Sequence, residues 1–160
     1  MILVDFSGIA VATIAVNKVN DESMLRHMIL NSLRMYNKKF RQTHGQMILC
    51  CDAGNNWRRS YFPQYKANRK KTRDDSTFDW NEAFRIMNLV RDEIKENFPY
   101  KVLHVDGCEA DDIIGTMVEH TQEFGQYEDV MIVSSDKDFL QLQKYPNVRQ
   151  WSHMQKKEIK

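Results

Sequence analysis

Short apolar runs separated by longer amphipathic segments constrain the fold of this chain more than any other feature. The runs lie at residues 2–4, 47–51, 102–105 and 130–133. Each is short enough for a strand buried on both faces of a sheet. Between the first two runs, apolar residues recur with helical spacing from Met24 to Phe40. Strands alternating with helices predict an α/β fold with a mainly parallel sheet and right-handed crossovers.

Capping and turn residues place the boundaries of these elements. The predicted strands span residues 1–6, 46–51, 101–105, 129–134 and, more weakly, 147–151. Asp21 and Asp79 are expected to cap long helices, and Gly45 is expected to end the first of them. Shorter helices are predicted at residues 8–16, at about 60–68, from near Glu109, and after Asp136.

Carboxylates follow each of the four runs. They form four acidic stations, at Asp5, at Asp52, at Glu109-Ala110-Asp111-Asp112 and at Asp136-Lys137-Asp138. Parallel strands bring their carboxyl ends to one edge of a sheet, where α/β folds bind ligands. Carboxylates crowded there repel one another unless cations neutralise them. The pattern therefore predicts a site for Mg²⁺ or Mn²⁺, and two such ions about 4 Å apart suit phosphoryl transfer.

Each station also has a plain structural interpretation. A single aspartate after a strand most often caps a helix or stabilises a turn. Neither Asp-x-Asp nor Glu-x-Asp-Asp is specific when it stands alone. The metal-site interpretation depends on finding four stations at four strand ends of one chain.

A basic segment follows the second station. Between Trp57 and Arg73 the chain has seven basic residues and no acidic residue. They are Arg58, Arg59, Lys66, Arg69, Lys70, Lys71 and Arg73. Interleaved aromatic residues, among them Tyr65, are able to stack on unpaired bases while the cations hold phosphates. The alternative is a solvated loop, as most charge runs are.

Composition limits the class of protein. A length of 160 residues, 42% of them hydrophobic, fits one soluble domain with its own core. The net charge of +1 neither favours nor excludes a nucleic-acid ligand. No membrane segment is predicted. Three cysteines without metal-ligand spacing are expected to be reduced thiols of a cytoplasmic protein.

Together the motifs resemble the 5′-nuclease family, which includes flap endonucleases, the 5′-exonuclease domain of bacterial DNA polymerase I and bacteriophage 5′-exonucleases. Residues 57–69 are similar to its aromatic-Arg … Tyr-Lys-x-x-Arg signature, and residues 109–112 and 134–142 are similar to its two acidic motifs. Val4-Asp5 and Cys51-Asp52 match its first two aspartates. Within the family, the chain resembles the ribonuclease H of T-even-type bacteriophages.

The resemblance implies a PIN-like domain over residues 1–160, with five strands in the order 3-2-1-4-5 and helices on both faces. It implies a Mg²⁺- or Mn²⁺-dependent enzyme that removes RNA primers and 5′ flaps during phage DNA replication or repair, leaving a 5′-phosphate. Two ions are expected in the complete enzyme. Expected partners are flap DNA, RNA–DNA hybrids and replication proteins, with a monomeric protein in the cytoplasm of the host cell.

The resemblance also implies roles for individual residues. Expected metal ligands are Asp5, Asp52, Glu109, Asp111, Asp112, Asp136 and Asp138. Expected catalytic residues are Lys66, Arg69 and Asp111. Expected nucleic-acid contacts are Arg58, Arg59, Tyr65, Lys66, Arg69, Lys70 and Lys71. All of them lie in an arch or clamp segment of about residues 53–77, of which residues 60–77 are expected to form the helical arch.

Members of the family continue into a helix-turn-helix region that binds duplex DNA and supplies further aspartates to the second metal. The sequence ends at Lys160, so this region is expected to be absent and the second metal site incomplete. Two other hypotheses remain open. One is a nucleic-acid-binding fragment without turnover, and the other is a compact PIN-type endoribonuclease.

Overall fold

The fold alternates strands with helices. The computed structural model describes residues 1–18, 20–54, 56–64, 66, 69, 72, 77–123 and 127–160. The strands are β1 Ile2–Asp5, β2 Met47–Cys51, β3 Lys101–His104, β4 Val130–Val133, β5 Val148–Ser152 and β6 Lys157–Ile159. The helices are α1 Phe6–Asn17, α2 Glu22–His44, α3 Arg58–Tyr61, α4 Trp80–Asn97, α5 Ala110–His120 and a 3₁₀ helix Lys137–Lys144.

The described strands form one sheet in the order β3-β2-β1-β4-β5-β6. The first five are parallel and β6 pairs antiparallel with β5. The predicted α/β class and the order 3-2-1-4-5 are therefore confirmed. Because the order reverses between β1 and β4, the crevice at their carboxyl ends is the topological switch point, where such sheets bind ligands.

The core lies on both faces of the sheet. Successive side chains of a strand point to opposite faces, so Ile2 and Val4 join one cluster and Leu3 joins the other. The first cluster packs the sheet against α1, α2 and α4, and the second packs it against α5 and the 3₁₀ helix. Burial on both faces explains why β1, β2 and β4 read as continuous apolar runs rather than alternating ones.

Side-chain caps begin the long helices where the sequence predicts them. Asp21 accepts a hydrogen bond from the backbone N–H of Met24, and Asp79 accepts one from the N–H of Glu82. Gly45 ends α2 with a φ of 85°, which a glycine adopts without strain. No helix in the described ranges is long and apolar enough to span a bilayer.

Two local features differ from the sequence prediction. In place of the helix predicted at about 60–68, the described residues form α3, which begins at Arg58 and ends at Tyr61, because Asn56 accepts from the N–H of Arg58 and Pro63 disfavours helical backbone at Phe62. Residues 65, 67 and 68 of that predicted helix lie outside the described residues. Strand β6 was not predicted, since three residues between lysines carry almost no strand pattern. Its pairing with β5 and an ion pair between Arg149 and Glu158 hold it in place.

Candidate metal centre

Asp5 lies at the switch point between β1 and β4. Its Oδ1 accepts a hydrogen bond from the N–H of Gly8 at 3.0 Å, which caps α1. Its Oδ2 accepts from the hydroxyl of Ser134, the residue after β4, at 3.0 Å. The carboxyl group is thus fixed by both strands that flank the crevice.

Asp52 links the end of β2 to the start of α5. Its Oδ1 accepts a hydrogen bond from the N–H of Ala110 at 2.6 Å, and its own N–H donates to the hydroxyl of Ser7 at 3.0 Å. The first N–H groups of a helix favour negative charge, so the start of α5 helps to hold this carboxylate at the edge of the sheet.

Three further carboxylates meet beside these two. One oxygen each of Asp111, Asp136 and Asp138 lies within 4.8 Å of the others. Asp136 is fixed in the turn after β4, where its Oδ1 accepts from the N–H of Asp138 at 2.9 Å and its own N–H donates to Ser134 Oγ at 3.2 Å. The turn therefore orients both of its aspartates towards the first turn of α5.

Burial, followed by repulsion between the acidic groups, raises the pKa values at this edge of the sheet. Burial, with repulsion from Asp52 and Asp111, raises the pKa of Asp5 to about 7. Partial burial and repulsion from Asp136 and Glu109 raise the pKa of Asp111 to about 6. Burial of its carboxyl group also raises the pKa of Asp52, although part of that residue stays exposed. Carboxyl groups held at raised pKa values gain most from a bound cation.

Glu109 is buried and already has two partners. Its Oε2 accepts a hydrogen bond from Lys66 Nζ at 2.9 Å, and its Oε1 accepts from the side-chain amide of Asn56. Lys66 adopts a left-handed backbone conformation with a φ of 55°. The ion pair places an ammonium group at the rim of the acidic cluster.

Asp112 differs from the other acidic residues. Its two oxygens accept a bidentate pair of hydrogen bonds from Arg58, at 2.8 and 3.1 Å, and one also accepts from Trp57 Nε1 at 3.3 Å. The same carboxylate caps α5 by accepting from the N–H of Glu109 at 2.9 Å. Burial raises the pKa of Asp112, but the hydrogen bonds from Arg58, the Glu109 N–H and Trp57, together with the Arg58 charge, outweigh it and leave this pKa below its usual value.

Three basic residues, Arg59, Lys66 and Arg69, lie beside two of the acidic stations. With Asp52 and Glu109 they line a cavity of about 150 Å³. Trp57 and Tyr61 are exposed beside it and meet edge to face, with ring centroids 6.2 Å apart. The predicted nucleic-acid contacts Tyr65, Lys70 and Lys71 lie outside the described residues.

The predicted carboxylates thus share one edge of the sheet, but their supports were not predicted. Ser7, Asn56 and Ser134 are buried polar residues that each hydrogen-bond to a station residue. Gly8 is also required, since a Cβ there would lie 2.5 Å from Asp5 Oδ2. The only sequence signal for Ser7, Gly8 and Ser134 is that they lie within three residues of a station or its strand.

Comparison with known proteins agrees with this geometry. Residues 2–160 match the family described as the 5′-3′ exonuclease, N-terminal resolvase-like domain. The chain is 45% identical over 166 residues to the ribonuclease H of Enterobacteria phage T4, covering 99% of this chain and 53% of that protein. It is 30% identical to a 5′-3′ exonuclease of Buchnera aphidicola subsp. Schizaphis graminum, covering 79% of this chain and 40% of that one.

Among solved structures, zinc-bound T5 5′-exonuclease superposes with a TM-score of 0.79 at 18% identity. That match covers 99% of this chain and 57% of the T5 protein, and at this identity it establishes the fold. The chain spans about half the length of these relatives. The chain belongs to the 5′-3′ exonuclease family, and the match runs through that family's N-terminal resolvase-like domain.

Proposed function

We propose that this chain is the catalytic part of a divalent-metal-dependent 5′-nuclease that hydrolyses phosphodiester bonds in 5′ flaps or RNA primers on DNA. One observation carries the proposal, the meeting of Asp111, Asp136 and Asp138 within 4.8 Å at the switch point of the sheet. Relatives support it, because T5 5′-exonuclease has been solved with zinc and T5 D15 flap endonuclease in a complex with DNA and metal ions.

The donor set fits Mg²⁺ or Mn²⁺. All of the clustered ligands are carboxylate oxygens, which hard cations prefer over nitrogen and sulfur. We infer that Asp111, Asp136 and Asp138 would hold an ion, with Asp5, Asp52 and Glu109 beside it. Such ions lower the pKa of water and neutralise charge on the reacting phosphate. Two ions are proposed for the complete enzyme.

The protein's own residues position the substrate. Arg59, Lys66 and Arg69 line the cavity that adjoins Asp52 and Glu109, so a phosphate entering it would meet cations on one side and the acidic edge on the other. Lys66 donates to Glu109, and a short shift of its flexible side chain would bring Nζ to a phosphate oxygen. Cations placed there stabilise the charge that develops during hydrolysis.

The ends of the nucleic acid are proposed to be recognised by exposed aromatic and basic groups. Tyr61 is 85% exposed and offers its ring to unpaired bases, whereas Trp57 is 47% exposed and has the Arg58 guanidinium over its ring at 4.6 Å. Tyr65, Lys70 and Lys71 are proposed to extend this contact along the flap. We propose that the product carries a 5′-phosphate and that the protein acts as a monomer in host-cell cytoplasm, during phage DNA replication or repair, alongside replication proteins.

Cleavage of a labelled 5′-flap DNA tests the proposal. The wild-type chain should cut in Mg²⁺ or Mn²⁺ and not in EDTA, and Asp111→Asn should lose about a hundredfold or more of the rate. Asp129→Asn, an exposed aspartate ahead of β4, is the matched control and should cut normally. Equal cutting by the wild-type chain and Asp111→Asn, or cutting in EDTA, would reject the proposal.

Lys66 is tested separately. Lys66→Ala should reduce the cleavage rate by about a hundredfold, and Lys66→Arg should retain part of it because the charge remains. A preference for structureless RNA over flap DNA in the same assay would favour an endoribonuclease instead. Duplex or flap binding without cutting in any divalent ion would favour a binding module.

A further inference from the structure

The outer face of α2 carries charge of one sign. After Glu22, this helix contains Arg26, Arg34, Lys38, Lys39 and Arg41 and no further acidic residue. The other long surface helix, α4, is balanced, with four acidic and three basic residues. Solvent-facing helices usually interleave both signs, so the α2 face is unusual within this same molecule.

Three of the cations form a single stripe. Arg34, Lys38 and Arg41 follow the helical repeat of four and three residues and are all exposed. They lie opposite the buried face formed by Leu25, Ile29, Leu33, Tyr36 and Phe40. At 1.5 Å per residue the stripe is about 10 Å long, which is close to three phosphate steps along one strand of B-DNA.

Within the described part of the chain, none of the three stripe cations forms an ion pair. Glu22 at the start of α2 and Glu93 of α4 are already engaged, because Arg26 bridges them at 3.0 and 2.7 Å. Cations near a helix C-terminus stabilise the helix dipole, but that effect is confined to the last turn. It accounts for Arg41 and leaves Arg34 unexplained.

The stripe is separate from the candidate metal centre. Helix α2 ends at Gly45, and β2 begins at Met47, so the C-terminal half of α2 lies towards the amino edge of the sheet. The acidic stations lie at the carboxyl edge, where β1 ends at Asp5. A ligand of the stripe therefore binds outside the reaction site.

We propose that the α2 stripe is a second nucleic-acid contact, which holds the sugar–phosphate backbone of duplex DNA without reading its sequence. The proposal rests on the proposed function only in taking nucleic acid as the ligand. A protein partner is disfavoured because the hot spots of protein–protein interfaces are usually aromatic or apolar anchors. Among the described residues in the C-terminal half of α2, Met35 is the one large apolar residue that is exposed beside the stripe. A membrane surface is disfavoured because the apolar face of α2 is buried in the core.

Salt dependence of duplex binding tests the proposal. Fluorescence anisotropy of a short blunt-ended DNA duplex is measured in EDTA over a series of KCl concentrations, so that no cleavage occurs and no flap is offered to the metal centre. The triple variant Arg34→Ala, Lys38→Ala, Arg41→Ala should bind more weakly, with a slope of log Kd against log salt reduced by about three.

The matched control removes the same charge from α4, through Arg85→Ala, Arg91→Ala and Lys95→Ala. It should keep a slope within about one unit of the wild-type value. A second variant, Arg34→Lys with Lys38→Arg and Arg41→Lys, keeps the charge and should bind as the wild-type chain does, since backbone contact requires charge alone.

The proposal is overturned if the α2 triple variant keeps the wild-type slope, if the α4 control loses as much slope, or if the charge-preserving variant also loses binding. Cleavage measurements keep the two proposals apart. Asp129→Asn should bind the duplex with the wild-type slope, and the α2 triple variant should lose slope in EDTA whether or not the wild-type chain proves to be a nuclease.

Discussion

Replacing Asp5 with Asn should stabilise the metal-free chain at pH 8 and leave it nearly unchanged at pH 4. Burial raises the pKa of Asp5 from 3.8 to about 7. Because the folded-state pKa lies above the unfolded value, the folded chain binds the extra proton between these two values. The free energy of unfolding of the wild-type chain therefore falls as pH rises from about 4 to 7, and the full penalty is present above pH 7.

The size of this penalty follows from the pKa shift. Each pKa unit corresponds to about 1.4 kcal/mol, so the shift of Asp5 costs at most about 4 kcal/mol at pH 8. The neutral amide of Asn removes that cost and keeps both hydrogen bonds, since its oxygen accepts from Gly8 and its NH₂ group donates to Ser134 Oγ. For a chain of this size, about 4 kcal/mol corresponds to roughly 8–16 °C in Tm.

Urea unfolding in EDTA at pH 4, 6 and 8 measures the effect. The stability gain of Asp5→Asn over the wild-type chain should grow with pH and level off above pH 7. Adding Mg²⁺ should narrow this gain at pH 8, because at a hundredfold excess over its Kd the ion stabilises the wild-type chain by about 2.7 kcal/mol. The control Asp129→Asn should show no such pH trend, and a gain for Asp5→Asn that is the same at every pH would refute the reasoning.

Three further predictions follow from the site. Gly8→Ala should destabilise the chain by about 1–3 kcal/mol, because the new Cβ would meet Asp5 Oδ2 at 2.5 Å, and urea unfolding measures this loss. Asp112→Ala should lower the free energy of unfolding by about 1–3 kcal/mol, since it removes both the α5 cap and the ion pair with Arg58. Arg58→Ala should lower it by less, because the cap remains. Cys50 should react with iodoacetamide only after unfolding, because burial raises the pKa of its thiol. Peptide mapping separates it from the partly exposed Cys108, and rapid modification of Cys50 itself in the native chain would contradict its placement.

Apolar runs and caps made most of the fold predictable. Strands β1, β2 and β4 are buried on both faces, and this leaves uninterrupted apolar letters in the sequence. Strand β6 has no such signature because its three residues are at the edge of the sheet, where charged side chains are tolerated. Its position depends on pairing with β5, which is a tertiary effect.

The acidic edge was predictable for the same reason. A parallel sheet sends every strand end in one direction, so Asp5, Asp52 and Asp136 had to share an edge once the strands were placed. The partners of each carboxylate were not predictable. The bidentate contact of Asp112 with Arg58 joins residues 54 positions apart, and the capping role of Asp112 depends on the helix starting at Ala110.

Titration with Mn²⁺ tests the central claim most directly, by following the electron paramagnetic resonance signal of the free ion. The wild-type chain should bind at least one ion, and Asp111→Asn should weaken that binding tenfold or more because it removes a ligand from the cluster with Asp136 and Asp138. Asp129→Asn should bind as the wild-type chain does. Equal Mn²⁺ affinity in Asp111→Asn and the wild-type chain would contradict the account.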